Sequence, residues 1–156
     1  MEALGEDGFV RLVSAFYRRT RQDDLIGPMY PPDDWEGAER RLAAFLIFRF
    51  GGSDRYLRER GPPRLRMRHV PFAIGEAERD RWLALMGAAM DEGGLAGEAR
   101  DQLGSFFVQV ADFMRTRPGG RGTRPARGRP FAATGPAAER RPSAAMARVH
   151  RKGRPR

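Results

Sequence analysis

The sequence predicts an all-α domain, on three observations. Four segments place apolar residues at helical spacing, proline-rich and Gly-Gly stops separate them, and no segment alternates with the period of two that a strand needs. The length of 156 residues fits one domain rather than two.

In the first segment Phe9, Leu12, Val13, Phe16 and Tyr17 fall at i, i+3, i+4, i+7 and i+8, one helical face. That face ends at Asp23-Asp24, and Pro28, Pro31 and Pro32 forbid a continuous helix beyond it. A second helix starts near Asp33 or Asp34, whose carboxylate can accept the free N–H groups of a first turn. It turns Trp35, Ala38, Leu42, Phe45 and Leu46 inward, and Gly51-Gly52 stops it. A third runs from about Gly75 to Glu92 with Trp82, Leu85, Met86 and Ala89 in register, its start marked by Glu76, Glu78 and Asp80. A fourth, from about Leu95 to Arg115, aligns Leu103, Phe106, Phe107, Val110, Phe113 and Met114. Between the second and third helices lies Ser53 to Ile74, longer than a connection in a compact bundle usually is and too rich in apolar residues for disorder. Pro71 disfavours the α conformation at Val70, so a helix holding His69 ends just after it.

Charge divides the chain in two. Residues 1–116 carry 17 arginines against 19 acidic residues, a net of −2, whereas residues 117–156 carry 12 basic residues against one glutamate, a net of +11. The segment 117–156 is rich in Arg, Gly, Pro and Ala and is expected to be a disordered basic tail following a folded domain over 1–116. The longest apolar run, Leu42 to Phe48, is seven residues, far below the roughly 20 a bilayer requires. With an acidic N-terminus lacking a leader pattern, the expectation is a soluble cytoplasmic protein that does not engage membranes.

Composition removes several chemistries. With no cysteine there is no disulfide framework, zinc-thiolate site, iron–sulfur cluster or thiolate-ligated haem. Only two histidines occur, His69 and His150 in the tail, so no Ser/His/Asp set is visible and no histidine-rich zinc site can be assembled. A lone histidine is more often structural than a ligand, yet one imidazole suffices for a five-coordinate haem, whose porphyrin supplies the other four nitrogens. Arg66 and Arg68 flank it and can pair with propionates. Tyr17, Tyr30 and Trp82 have two readings. Either they are core residues whose polar atoms found partners, or their three donors converge on one apolar cavity and stabilise a partly negative ligand there.

Arg58-Glu59-Arg60-Gly61-Pro62-Pro63-Arg64-Leu65-Arg66-Met67-Arg68-His69-Val70-Pro71-Phe72, followed by Glu78-Arg79-Asp80-Arg81-Trp82, resembles the group II truncated haemoglobins, the two-over-two globins of bacteria. Tyr30-Pro31, Asp33-Asp34, Gly37-Ala38-Glu39, Arg41-Leu42, Phe45-Leu46, Gly51-Gly52 and Ala15-Phe16-Tyr17 extend the similarity over about residues 3–116. Pro62, Phe50 and Ser53 depart from the family's usual residues there. The resemblance implies a truncated globin-like two-over-two helical sandwich holding haem b (iron protoporphyrin IX). His69 is then the proximal iron ligand, and Tyr17, Tyr30 and Trp82 the distal donors. Ala38 takes the place where most globins put a distal histidine. Leu42, Phe45 and Phe72 line the haem, and Tyr56, Arg66 and Arg68 reach its propionates.

The function so implied is reversible binding of dioxygen or another diatomic gas at ferrous iron. Nitric oxide dioxygenase or weak peroxidase turnover is an extension that needs an external electron donor, since no flavin or nicotinamide domain is visible. The other reading is a nucleic-acid or acidic-surface binder acting through the basic tail, with the globin as gas or redox sensor. A homodimer is compatible with both.

Overall fold

The structure, a computed structural model, describes residues 4–117. Apart from Arg117, the segment read as a disordered tail, His150 included, lies outside the described residues. Among those described there is no strand, as expected for an all-α chain.

Helix α1 (Gly5–Thr20) buries the predicted face: Phe9, Leu12, Val13, Phe16 and Tyr17 are all inside. Glu6 and Asp7 in its first turn and Arg18 and Arg19 in its last complement the helix dipole. The stop at Asp23 has a mechanism. Its carboxylate accepts the backbone N–H groups of Leu25 (3.0 Å) and Ile26 (2.9 Å) and binds Arg81 at 2.6 Å. A 3-10 turn over Gly27–Met29 then delivers Tyr30 in extended conformation.

Helix α2 (Trp35–Arg49) starts where predicted, but not by the expected device. Asp34 makes no side-chain cap bond; its carboxylate instead holds Arg41, two turns along, at 2.8 Å. Gly37 makes this possible, because a Cβ there would sit on Asp34 Oδ1 and Arg41 Nη1. The helix ends in a Schellman motif. Gly51 adopts φ +87°, and the N–H groups of Gly51 and Gly52 donate to the carbonyls of Phe48 (3.3 Å) and Ile47 (2.8 Å).

The long connection is ordered into two short helices, α3 (Arg55–Arg60) and α4 (Leu65–His69). Helix α4 ends at His69 as expected, but not for the expected reason. Val70 keeps the α conformation (φ −49°, ψ −39°) with its N–H on the Arg66 carbonyl at 3.1 Å, and the ladder stops because Pro71 has no N–H to continue it. Helix α5 (Glu76–Glu92) opens on half a capping box, the Gly75 N–H donating to the Glu78 carboxylate at 2.8 Å. Helix α6 (Gly97–Phe113) corrects the reading of the fourth segment twice. Leu95 does not start it; its N–H donates to the Met90 carbonyl (3.1 Å), closing a Schellman motif around Gly94 at the end of α5. Phe113, placed inward by periodicity, is 54% exposed because the helix ends there and no element among the described residues covers it.

Helix α1 packs on α2 and on α5, and α5 packs on α6, which gives the two helix pairs of a two-over-two sandwich. An aromatic chain stitches the pairs together. Phe16 meets Trp82 at 5.1 Å between centroids, Trp82 meets Phe107 at 5.6 Å, and Phe106 meets Phe50 at 5.0 Å, which stacks on Phe9 at 5.3 Å. Beyond α6, Thr116 clasps the loop after α4. It exchanges bonds with Ile74 through its backbone N–H and its hydroxyl, both 3.0 Å, and the hydroxyl also donates to the Phe72 carbonyl at 2.5 Å.

Candidate functional site

One largely apolar cavity of about 210 Å³ lies between the two helix pairs and the α3–α4 segment. Of the residues singled out in the sequence, Tyr17, Tyr30, Ala38, Leu42, Phe45, Tyr56, Arg68, His69, Phe72 and Trp82 all line it. Arg66 does not: its guanidinium points away, donating to the Phe113 carbonyl at 3.2 Å and lying 5.6 Å over that ring. The cavity wall adds Arg41, Arg60 and Arg79, which the sequence did not mark as site residues, and Met29, Leu65, Ile74, Phe106 and Phe107 among its apolar lining.

His69 is fixed by its own helix. Its Nδ1 lies 2.7 Å from the Leu65 carbonyl, four residues earlier. A carbonyl only accepts, so Nδ1 carries the proton and the lone pair sits on Nε2. Burial pushes the imidazole pKa below its ordinary 6.5, Arg68 adds to that push, and the Leu65 bond opposes it. A neutral ring oriented by a backbone carbonyl is the form of histidine that ligates a metal. Among the described residues no three His, Cys, Asp or Glu side chains cluster as a metal site, so His69 would serve as the single protein ligand of a metal already chelated by something else.

The two tyrosines and the tryptophan form a polar trio in apolar surroundings. The Tyr17 and Tyr30 rings meet edge-to-face at 5.5 Å, and Tyr30 stacks on Trp35 at 5.3 Å. Burial raises the Tyr17 phenol well above 10, and donation to Tyr30 raises it further. Burial raises the Tyr30 phenol as well, while hydrogen bonds received from Trp82 and Tyr17 hold it back. Both phenols therefore stay protonated. Two hydroxyls and one indole N–H thus share the same cavity wall as potential donors.

The rim is cationic. Arg41, Arg60, Arg68 and Arg79 line the cavity against one carboxylate, Glu78, which the Gly75 N–H already engages. Arg79 is held by Asp112 (2.5 Å) and Asp80 (2.8 Å), and Arg41 by Asp34. Among the described residues no carboxylate pairs with Arg60 or Arg68, and the Arg68 Nε is buried without a hydrogen-bond partner. Burial lowers the Arg60 pKa, and the neighbouring charges of Arg68 and Arg41 lower it further. Half-buried guanidinium groups pressed together call for an anion. An apolar slot with one oriented imidazole, hydroxyl and indole donors, and a cationic rim fits a porphyrin bearing two propionates.

Comparison with known proteins agrees with this geometry. A family model described as bacterial-like globin matches residues 1–116. Group 2 truncated hemoglobin YjbI of Bacillus subtilis (strain 168) is 43% identical over 102 residues, covering 65% of this chain and 76% of that protein. Among solved structures, a thermostable hemoglobin from the actinobacterium Thermobifida fusca superimposes with a TM-score of 0.72 at 45% identity, covering 75% of this chain and 96% of that one. A truncated oxygen-avid haemoglobin from Bacillus subtilis gives 0.69 at 39% identity, covering 73% and 96%.

Proposed function

Because the chain belongs to the bacterial-like globin family, we propose that its cavity holds haem b on His69 and that it reversibly binds dioxygen or another diatomic gas. The observation that carries the reading is the single oriented imidazole sharing one apolar cavity with the Tyr17, Tyr30 and Trp82 donors. Haem bound there supplies ferrous iron with an open coordination position for the gas.

The chain's own residues do the rest. His69 presents Nε2 while the Leu65 carbonyl keeps its proton on Nδ1, so the ring enters as a neutral ligand of fixed orientation. Arg60 and Arg68, with Arg41 beside them, would hold the propionates. Leu42, Phe45, Phe72 and Phe107 exclude water, which protects ferrous iron from oxidation and strengthens every polar contact inside. Ala38 contributes no donor, so polar recognition of the gas falls to Tyr17, Tyr30 and Trp82, which line the same cavity. A gas that gains negative charge on binding is held by such donors and leaves slowly. Turnover of nitric oxide or peroxide is the catalytic extension of the same site, and it requires electrons from outside the chain.

A hydrogen bond to a charged acceptor contributes about 1.5–3 kcal/mol, a factor of roughly 10 to 150. Tyr30→Phe or Trp82→Phe is therefore expected to speed dioxygen release about tenfold or more. Stopped-flow displacement of dioxygen by carbon monoxide measures both rates. A change below about twofold in both variants would show that these donors do not hold the gas.

A further inference from the structure

Helix α4 has two sides. Leu65, Arg68 and His69 face the cavity, whereas Met67 is 66% and Val70 63% exposed on the other. Two large apolar side chains stand mostly in water on so short an element. Phe113 at the end of α6 joins them, 54% exposed and tied to α4 through Arg66. The Thr116 clasp brings Arg117 to the same end of the molecule, its N–H donating to Ile74 at 3.1 Å.

This apolar spot is ringed by positive charge. Residues 55–70 hold six arginines and one acid, Glu59, which is already bound to Arg55 at 2.6 Å. Asp112 is taken by Arg79 and Asp54 by Arg58. Among the described residues no carboxylate pairs with Arg64, Arg66 or Arg117. All three are exposed.

We infer that the outer face of α4, with Phe113 and Arg117, is the docking surface for an acidic one-electron carrier protein that reduces the haem. The inference rests on the haem reading of the cavity. Charge complementarity selects the occupant. The chain's own segment 117–156, at a net charge of +11, offers these arginines no complementary charge. A second copy across a two-fold axis would set the same arginines against themselves. A nucleic acid would leave Met67, Val70 and Phe113 against phosphates with nothing apolar to cover them. An acidic protein with an apolar centre satisfies both features, as small transient interfaces with a charged rim do. Position supplies the purpose, since only the width of α4, about 10 Å, separates this surface from the imidazole side. In the step itself one electron leaves the reduced carrier and enters the ferric iron; no covalent bond forms or breaks.

The test uses the full-length haem-loaded protein, titrated at low salt with an oxidised plant-type ferredoxin, with a flavodoxin and, separately, with a short DNA duplex. The variants are Met67→Glu and the double variant Arg64→Glu/Arg117→Glu, each checked for an unchanged Soret band. We expect at least one carrier to bind with a Kd on the order of 10 µM and each variant to weaken it about tenfold, or roughly 1.4 kcal/mol. Duplex binding should stay within about twofold in Met67→Glu. A parent with a normal Soret band that binds neither carrier, or variants that bind as the parent does, would overturn the docking surface and leave the haem reading intact. Equal losses of carrier and duplex binding would make the face a nucleic-acid interface and overturn it too. A parent that takes up no haem would sink both readings.

Discussion

At the scale of single residues, the side chains that matter most are those whose charge or proton has no free choice. His69 has its proton on Nδ1 because a carbonyl lies 2.7 Å away, and Arg68 has a buried Nε with no partner. If a propionate is the missing partner, Arg68→Met removes a charge-assisted bond of about 1.5 kcal/mol. Transfer of haem to excess apomyoglobin should then run roughly tenfold faster than in the parent, and an unchanged transfer rate would remove Arg68 from the haem contacts. Arg68 was legible in the sequence through its place in the Arg-rich motif before His69. Arg66 was equally legible by that criterion, but helical rotation turns it outward to Phe113. Arg41 and Arg60 were not, because nothing in linear spacing shows that Gly37 clears a path between Asp34 and Arg41 or that α3 folds its last arginine over the cavity.

Elements were read best where one face is buried. Periodicity located α1, α2 and α5 because each lays an apolar stripe on a neighbour, and Gly51-Gly52 announced its Schellman stop. It failed at the two ends of α6, where Leu95 serves the preceding helix and Phe113 has nothing to pack on. The two short helices α3 and α4 carry too few residues to show a period at all; Pro71 alone revealed where α4 stops. Leu103 on α6 is fully buried and off the cavity, so Leu103→Ala should lower unfolding free energy by about 2–5 kcal/mol in denaturant titration. A loss below about 1 kcal/mol would show that α6 is not packed as described.

Asp23 locks α1 to α5 through Arg81, and the pH dependence of that lock has a definite sign. Burial raises its carboxyl pKa, but the Ile26 and Leu25 N–H groups and Arg81 outweigh this and hold it below the ordinary 3.8. A depressed carboxyl stabilises the fold above the unfolded pKa of about 3.9, and that contribution is lost as pH falls through the folded value. The stability gap between the parent and Asp23→Asn, measured by chemical denaturation, should therefore be full near neutral pH and close as pH drops below about 4. A gap independent of pH would contradict the assignment.

The whole molecule combines a nearly neutral domain, matched by the globin family over residues 1–116, with a segment of net charge +11 over 117–156. That division was visible as a change of composition alone. Gas binding is proposed for the first part; the charge of the second is what the other reading, attraction to polyanions, rests on. Each phosphate contact should contribute a slope of about −0.9 to the logarithm of DNA affinity against the logarithm of salt. Replacing four tail arginines, Arg121, Arg124, Arg127 and Arg129, by Gln should flatten that slope while leaving the visible spectrum unaltered; an unchanged slope would leave the segment without this role.

The central claim is a coordinate bond from the His69 imidazole, and a visible spectrum reports it directly. Full-length protein and its His69→Gly variant should be compared in the ferrous and carbon monoxide forms, the variant with and without added imidazole. The parent should show a Soret band of a histidine-ligated haem, the variant should lose or shift it, and imidazole should bring it back. A variant whose ferrous and carbon monoxide spectra match the parent's without imidazole would place the iron ligand elsewhere and contradict this account.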